Sequence, residues 1–282
     1  MSEKGTLYLV ATPIGNLQDI TFRAVNTLKE VDLIAAEDTR QSIKLLNHFE
    51  IKKPLVSYYE HNKIVKGNYL IEQLLAGKNI ALVSDAGSPG ISDPGEDLVK
   101  LAIGNDIIVT MIPGPVAAVT GLVISGLPTG QFVFEGFLPM NKRIRQERLK
   151  RLKDETRTII FYEAPHKLSY TLKDMYSVWG DRRIALAREL TKRHEEIIRC
   201  SLYEAMERYQ SEAPKGEFVV IIEGQDEQKL IENERDKYSD LSIEEHVQMY
   251  TESGMTKKDA IKKVADDRGI IKRDVYNVVM KK

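Results

Sequence analysis

Three turns rich in glycine and proline each follow an apolar segment of this chain: residues 12–16 (TPIGN), 85–95 (DAGSPGISDPG) and 113–115 (PGP). Glycine lets the backbone approach a bound molecule closely, and proline fixes a turn so that amides and carbonyls face the ligand at little ordering cost. One such turn is explained by chain reversal alone. Three of them behind strand-like segments describe a cradle, because ligands of open α/β sheets sit outside the carboxyl ends of the strands. The chain contains neither G-x-x-x-x-G-K-S/T nor G-x-G-x-x-G, the patterns that hold triphosphates and dinucleotide pyrophosphates. The cradle therefore suits a ligand without phosphate, and spacing by itself does not select which.

The segments that carry these turns alternate in period. LYLVA (7–11), DLIAA (32–36), PLVSY (54–58), NIALVS (79–84) and DIIVTMI (106–112) read as strands, with amphipathic stretches between them. That rhythm predicts a largely parallel sheet covered on both faces. Asp19 or Thr21 caps the first helix, whose apolar face is predicted from Phe22, Val25 and Leu28 before Val31. Gly77 ends a later helix behind Leu74 and Leu75. A first α/β domain is expected over residues 1–139.

Residues 140–155 are the most basic stretch: Lys142, Arg143, Arg145, Arg148, Lys150, Arg151 and Lys153 stand against Glu147, Asp154 and Glu155. The run reads either as a solvated helix linking two domains or as a phosphate-contacting surface. RTIIFY (157–162), RIALA (183–187) and EFVVIIE (217–223), joined by HEEIIRCSL (194–202), predict a second α/β domain over 156–224. An acidic linker is expected over 225–245, then a helical appendage to residue 282. Ser242 with Glu245, and Thr256 with Asp259, have capping spacing, and Gly269 separates two short helices of helix-turn-helix proportions. Their faces carry Lys257, Lys258, Lys262, Lys263, Lys272 and Arg273, which suits nucleic acid or plain packing decoration alike.

Composition bounds the rest. With 282 residues, 42% hydrophobic, 29% charged and a net charge of −1, the chain has the make-up of a globular enzyme and not of a wholesale polyanion binder. Cys200 is the only cysteine, which rules out an internal disulfide and a thiolate-rich metal site. The five histidines are scattered without metal-binding spacing, so no metal is expected. The apolar stretch at 7–11 is too short for a signal core or a membrane span, so a cytoplasmic enzyme is expected.

Seven blocks, LYLVATPIGNLQDIT, AAEDTR, VSDAGSPGISDPG, IPGPVAAVTGL, FYEAPHKL, ARELTKRHEE and GEFVVIIEG, occur in order along nearly the whole chain. Together they resemble the ribosomal RNA small-subunit methyltransferase I family of the tetrapyrrole methylase superfamily. The resemblance implies two α/β domains of the class III methyltransferase type, with the small helical appendage beyond them. It also implies S-adenosylmethionine as cofactor, 16S rRNA in the small ribosomal subunit as substrate, and a homodimer. The implied cofactor residues are Ile14, Gly15, Gly87, Ser88, Pro89, Ile91, Pro115, Val116, Ala117, Tyr162, Leu186, Ala187 and Gly216. The porphyrin-precursor branch carries G-D-P in the second loop, whereas this chain has Gly87, Ser88 and Pro89, which favours the RNA branch.

Methylating a ribose hydroxyl requires in-line geometry and a group to take the hydroxyl proton. Glu37, Asp38, Asp85 and Lys192 are the candidates, Asp38 being equally suited to cap the next helix. Arg40, Lys142, Arg143, Arg145, Arg188 and Arg193 are candidate phosphate contacts. His166 reads as a helix-start or packing residue rather than a base. Two other readings compete: methylation of a tetrapyrrole or diphthamide precursor, and a noncatalytic RNA-binding assembly factor.

Overall fold

A computed structural model describes residues 3–238 and 240–280, without the side chains of residues 233–236. The chain forms two compact units: Met1–Arg151 with Thr158–Glu223, and Leu152–Arg157 with Gly224–Lys282.

The first unit opens with β1 (Thr6–Val10), α1 (Phe22–Glu30), β2 (Leu33–Ala36), α2 (Thr39–His48), β3 (Leu55–Ser57), α3 (Lys63–Leu75), β4 (Ile80–Val83), α4 (Gly95–Gly104), β5 (Ile108–Ile112) and α5 (Ala117–Ser125). Its strands form an all-parallel sheet in the order β3-β2-β4-β1-β5. β2 and β4 are buried along their whole length, as expected where helices cover both faces. Period-two alternation sorts their side chains into two cores: Leu7, Leu33, Ala35 and Leu82 on one side, Val10, Ile34, Ala36 and Val83 on the other. Thr21 caps α1, its side chain accepting from Ala24 N. The buried face of α1 is Ala24, Thr27 and Leu28 with Val25 partly buried against the same core; of the predicted face only Phe22, 92% exposed, turns outward.

The second half of this unit adds β6 (Phe132–Phe137), α6 (Lys142–Arg151), β7 (Thr158–Glu163), α7 (Pro165–Trp179), β8 (Arg183–Arg188), β9 (Glu196–Ser201), α8 (Leu202–Ser211) and β10 (Phe218–Ile222). They build a mixed sheet in the order β6-β7-β10-β8-β9, parallel only between β6 and β7. The expected boundary at 139 is corrected here, because β6 pairs with β7 and so belongs to the second sheet. α5 lies against that sheet too: a Cβ on Gly121 would sit 3.2 Å from Val219 Cγ1 and 3.3 Å from Ile221 Cδ1, so the helix can approach only because it lacks one. α6 packs on α7 within the same unit instead of linking two bodies.

The second unit holds α9 (Glu227–Asp236), α10 (Ile243–Glu252), α11 (Lys257–Arg268) and α12 (Lys272–Met280). The acidic stretch read as a linker contains α9; Ser239 and the side chains of Glu234 and Asp236 lie outside the described residues. Ser242 and Glu245 form a reciprocal capping box, Thr256 caps α11, and Gly269 ends α11 in the left-handed region at φ 60°. Val247, Ala260, Ile261, Val264, Ala265 and Val275 form the core of this small bundle. Among the described residues no helix is long and apolar enough to cross a membrane.

Candidate active site

The turns behind β1 and β4 are zipped together. Thr12 N donates to Gly87 O at 2.9 Å and Gly87 N to Thr12 O at 3.1 Å, with Gly87 at φ +81°. A side chain there would be strained and would press on Ile14 and the Pro115 carbonyl. Ser88 Oγ reaches that carbonyl at 3.4 Å, which ties in the turn behind β5. The Asp93 carboxylate accepts from the amides of Gly90, Ile91 and Gly95, and so holds the second loop in shape ahead of α4.

These loops surround a cavity of about 480 Å³. Of the implied cofactor residues, Ile14, Gly87, Ser88, Ile91, Val116, Ala117, Tyr162 and Ala187 line it. Tyr162 stands edge-on to Phe134 at 5.0 Å between ring centres, and its hydroxyl accepts from Ala118 N. Phe137, 5.6 Å from the Tyr162 ring, completes an aromatic wall. Five implied positions act otherwise. Leu186 is fully buried on the opposite face of β8 from Ala187, as strand alternation requires. Pro89 is buried, and Pro115 contributes its carbonyl to Ser88. Gly15 leaves room for Lys192, whose Cγ would be 2.4 Å from a Cβ at that position. Gly216, at φ +82°, likewise leaves room for the Glu189 side chain.

The four proton-acceptor candidates separate by their partners. Asp38 caps α2: it accepts from Arg40 N at 2.8 Å and grips the Arg40 guanidinium at 2.8 and 3.1 Å, which lowers its pKa. Asp85 lines the cavity and accepts from Asp38 N at 2.9 Å. Lys192 also lines the cavity, but its ammonium is held by Glu189 at 3.0 Å and Glu217 at 2.8 Å. Burial pulls its pKa down, the hydrogen bonds to Glu217 and Glu189 push it up, and the outcome is a raised value. A lysine held charged between two carboxylates is a poorer proton acceptor than a half-buried carboxylate. Glu37 is half-buried and lines the cavity. Burial raises its pKa first, and the nearby Asp85 and Asp93 charges raise it further.

The basic candidates also divide. Arg145 is 7% exposed, bound by Nε to Asp174 at 2.8 Å and by Nη1 to the carbonyls of Pro139 and Met140. Its role is to tie α6 to α7, which corrects the expectation of a phosphate contact. Arg188 donates to Lys215 O and pairs with Glu196. Arg40, Lys142, Arg143 and Arg193 are exposed. Asp93, Phe137, Glu163, Glu189 and Glu217 were not singled out as site residues and line the cavity. The Asp-Pro-Gly turn signal at 93–95 marked the first of them; the others are brought in by strand pairing.

Counted by charge, the lining holds six carboxylates, Glu37, Asp85, Asp93, Glu163, Glu189 and Glu217, against one ammonium, Lys192. Such a donor set, with aromatic and aliphatic walls, fits a phosphate-free cationic ligand such as a sulfonium.

Residues 6–206 match the family described as Tetrapyrrole (Corrin/Porphyrin) Methylases. A relative from Halalkalibacterium halodurans named ribosomal RNA small subunit methyltransferase I is 54% identical over 276 residues, 98% of this chain and 95% of the relative. Its Bacillus subtilis namesake is 50% identical, covering 98% and 94%. The crystal structure of uroporphyrin-III C-methyl transferase from Thermus thermophilus complexed with S-adenyl homocysteine superposes with a TM-score of 0.53 at 18% identity. That alignment covers 77% of this chain and 97% of the other, a likeness of fold. The chain therefore belongs to the tetrapyrrole methylase family and, within it, to the ribosomal RNA small subunit methyltransferase I family.

Proposed function

We propose that this chain transfers a methyl group from S-adenosylmethionine to the 2'-hydroxyl of a cytidine in the decoding region of 16S ribosomal RNA. The observation that carries the reading is the charge of the main cavity, which suits a sulfonium cation and opposes a phosphate-bearing cofactor. When bound, S-adenosylmethionine supplies the electrophilic methyl group. Ile14, Ala187, Val219 and the Tyr162 and Phe137 rings offer the apolar walls such a ligand needs, and Ser88 and the loop amides offer polar contacts. The S-adenyl homocysteine in the Thermus protein and the name carried by the relatives support the donor and the RNA acceptor in turn.

Glu37 is the proton acceptor in this reading. A carboxylate whose pKa is raised toward the working pH is a better base than an ordinary one, and Asp38 and Lys192 are occupied elsewhere. Arg40, Lys142, Arg143 and Arg193 contact phosphates, holding the acceptor ribose without reading sequence. The enzyme acts in the cytoplasm on the small ribosomal subunit, as a homodimer.

The test is incubation with methyl-labelled S-adenosylmethionine and, separately, small ribosomal subunits, naked rRNA and tetrapyrrole precursors, followed by mapping of the label. Label on the ribose of one cytidine is the expected result. Label in a tetrapyrrole, or none in any RNA, overturns the reading.

A further inference from the structure

A second, smaller cavity of about 220 Å³ opens beside the first turns of α7, lined by Met140, Arg145, His166, Lys167, Tyr170 and Thr171. It adjoins the main cavity along the chain, since Pro165 lines the one and His166 the other.

Its floor is charged but fully compensated. Arg145 is bound to Asp174 at 2.6 Å, with both side chains under 10% exposed. Lys167 donates to Leu138 O at 2.9 Å and lies 3.3 Å from the buried Glu163 carboxylate, which also accepts from Thr171 Oγ1. With those groups committed to one another, the floor is rigid and offers no spare charge to an anion. The walls differ in kind. Tyr170 is 66% and Met140 69% exposed, and His166 is exposed as well. A phenol ring, an imidazole and a thioether around a neutral floor match the flat, polarisable face of a nucleobase. Exposed cations lie close by in the chain: Lys142 and Arg143, the latter paired with Glu147, follow Met140 at the start of α6, and Lys173 shares the α7 face of His166 and Tyr170 at spacings of seven and three.

We infer that this cavity holds the base of the nucleotide next to the methylated one, unstacked from its strand and laid against Tyr170 and His166, while Lys142, Arg143 and Lys173 follow the backbone phosphates. The inference rests on the RNA-methylation reading, and it adds a contact that selects single-stranded RNA and senses the flanking base. The two linings touch at Glu163, which lines the main cavity while its carboxylate meets Lys167 and Thr171 of the second, and that closeness is what assigns the neighbouring nucleotide rather than a distant one.

The experiment is a binding cycle on the full-length protein. A single-stranded RNA spanning the acceptor cytidine is compared with versions abasic at the 5' or the 3' neighbour, using wild type, Tyr170→Ala and Tyr170→Phe. Tyr170→Ala is expected to weaken binding of intact RNA roughly tenfold, the scale of one stacked base, and Tyr170→Phe to restore it. One of the two abasic RNAs should bind wild type equally weakly and lose nothing further in Tyr170→Ala. S-adenosylmethionine affinity should be the same in all three proteins. Unchanged binding by Tyr170→Ala, or additive losses with both abasic RNAs, overturns the subsite. Because the cycle is read by binding, its failure is distinguishable from a failure of methyl transfer in the labelling assay.

Discussion

Two strand ends face the main cavity with opposite charge economies. Behind β2 and β4, Glu37, Asp85 and Asp93 crowd together, and the Arg40 guanidinium is paired with Asp38. Behind β8, and just ahead of β10, Glu189 and Glu217 clamp Lys192, whose stem fills the space above Gly15. Glu189 and Thr191 hold left-handed conformations at φ 50° and 64°, a strain that a loop keeps only when its surroundings fix it. Like charges left uncompensated raise a pKa and make a group reactive, while opposite charges in contact make a joint. Under the proposed function, the difference gives the chemistry to the first end and the scaffolding to the second.

The comparison breaks most sharply at Glu37. Glu37→Gln keeps the shape and removes the acceptor, so kcat should fall by about 10²- to 10⁴-fold with S-adenosylmethionine affinity within a few-fold of wild type. The pH profile carries the sign. A base works when deprotonated and the pKa of Glu37 lies above 4.5, so kcat/KM of wild type should drop on acidification at a midpoint above the ordinary glutamate value. A carboxylate with a raised folded pKa also loses stability as pH climbs from 4.5 through that value, so Glu37→Gln should melt no lower than wild type at pH 7.5. Full activity in the Gln variant would remove Glu37 from the chemistry.

Much of this arrangement is legible in the residues themselves. Parallel strands buried on both faces read as apolar runs, and the glycine and proline turns behind them mark the cavity. What escapes is whatever depends on a partner distant in sequence. Arg145 lies in a run of cations, and only Asp174, 29 residues on, turns it into a buried joint. Lys192 looks like a base until Glu217 arrives with β10. β6 hides because Gly136 interrupts its alternation with a register shift against β7. In α9 the acidic residues obscure a helix, since charge pattern speaks to solvation and not to backbone geometry.

A smaller effect is expected at the clamp. Lys192→Met leaves Glu189 and Glu217 facing each other; with the ammonium about a third exposed, the loss should be about 1–2 kcal/mol of stability. kcat should fall by no more than about tenfold, through a loosened Gly15 turn, and the acid limb of the pH profile should stay in place. Because the folded pKa of Lys192 is raised above 10.5 and that of Glu189 lowered below 4.5, their pairing is intact between those limits; it is lost as pH rises beyond the first or falls through the second. A loss as large as that of Glu37→Gln, with the acid limb of the wild-type profile abolished in Lys192→Met, would make Lys192 the base and erase the contrast.

The least effect, and the one that asks whether the same rule holds in the helical unit, concerns His246. It is fully buried, stacked on Tyr238 at 4.0 Å, with Nδ1 accepting from Arg268 Nε. Asp267, 3.6 Å from Nε2, is engaged by Lys263 and by the Tyr250 hydroxyl. Burial first, then Arg268, depresses the histidine's pKa below 6.5 despite the pull of Asp267. The unfolded chain therefore binds a proton that the folded bundle refuses, and stability falls as pH drops from 6.5 toward the folded value. Amide protection in α10 and α11, corrected for intrinsic exchange, should decline between pH 7 and pH 5.5 while that of β1 and β4 holds. His246→Gln should flatten the decline. A histidine placed among compensated neighbours thus tunes stability rather than chemistry, and protection in α11 that ignores pH would show that Asp267 neutralises it after all.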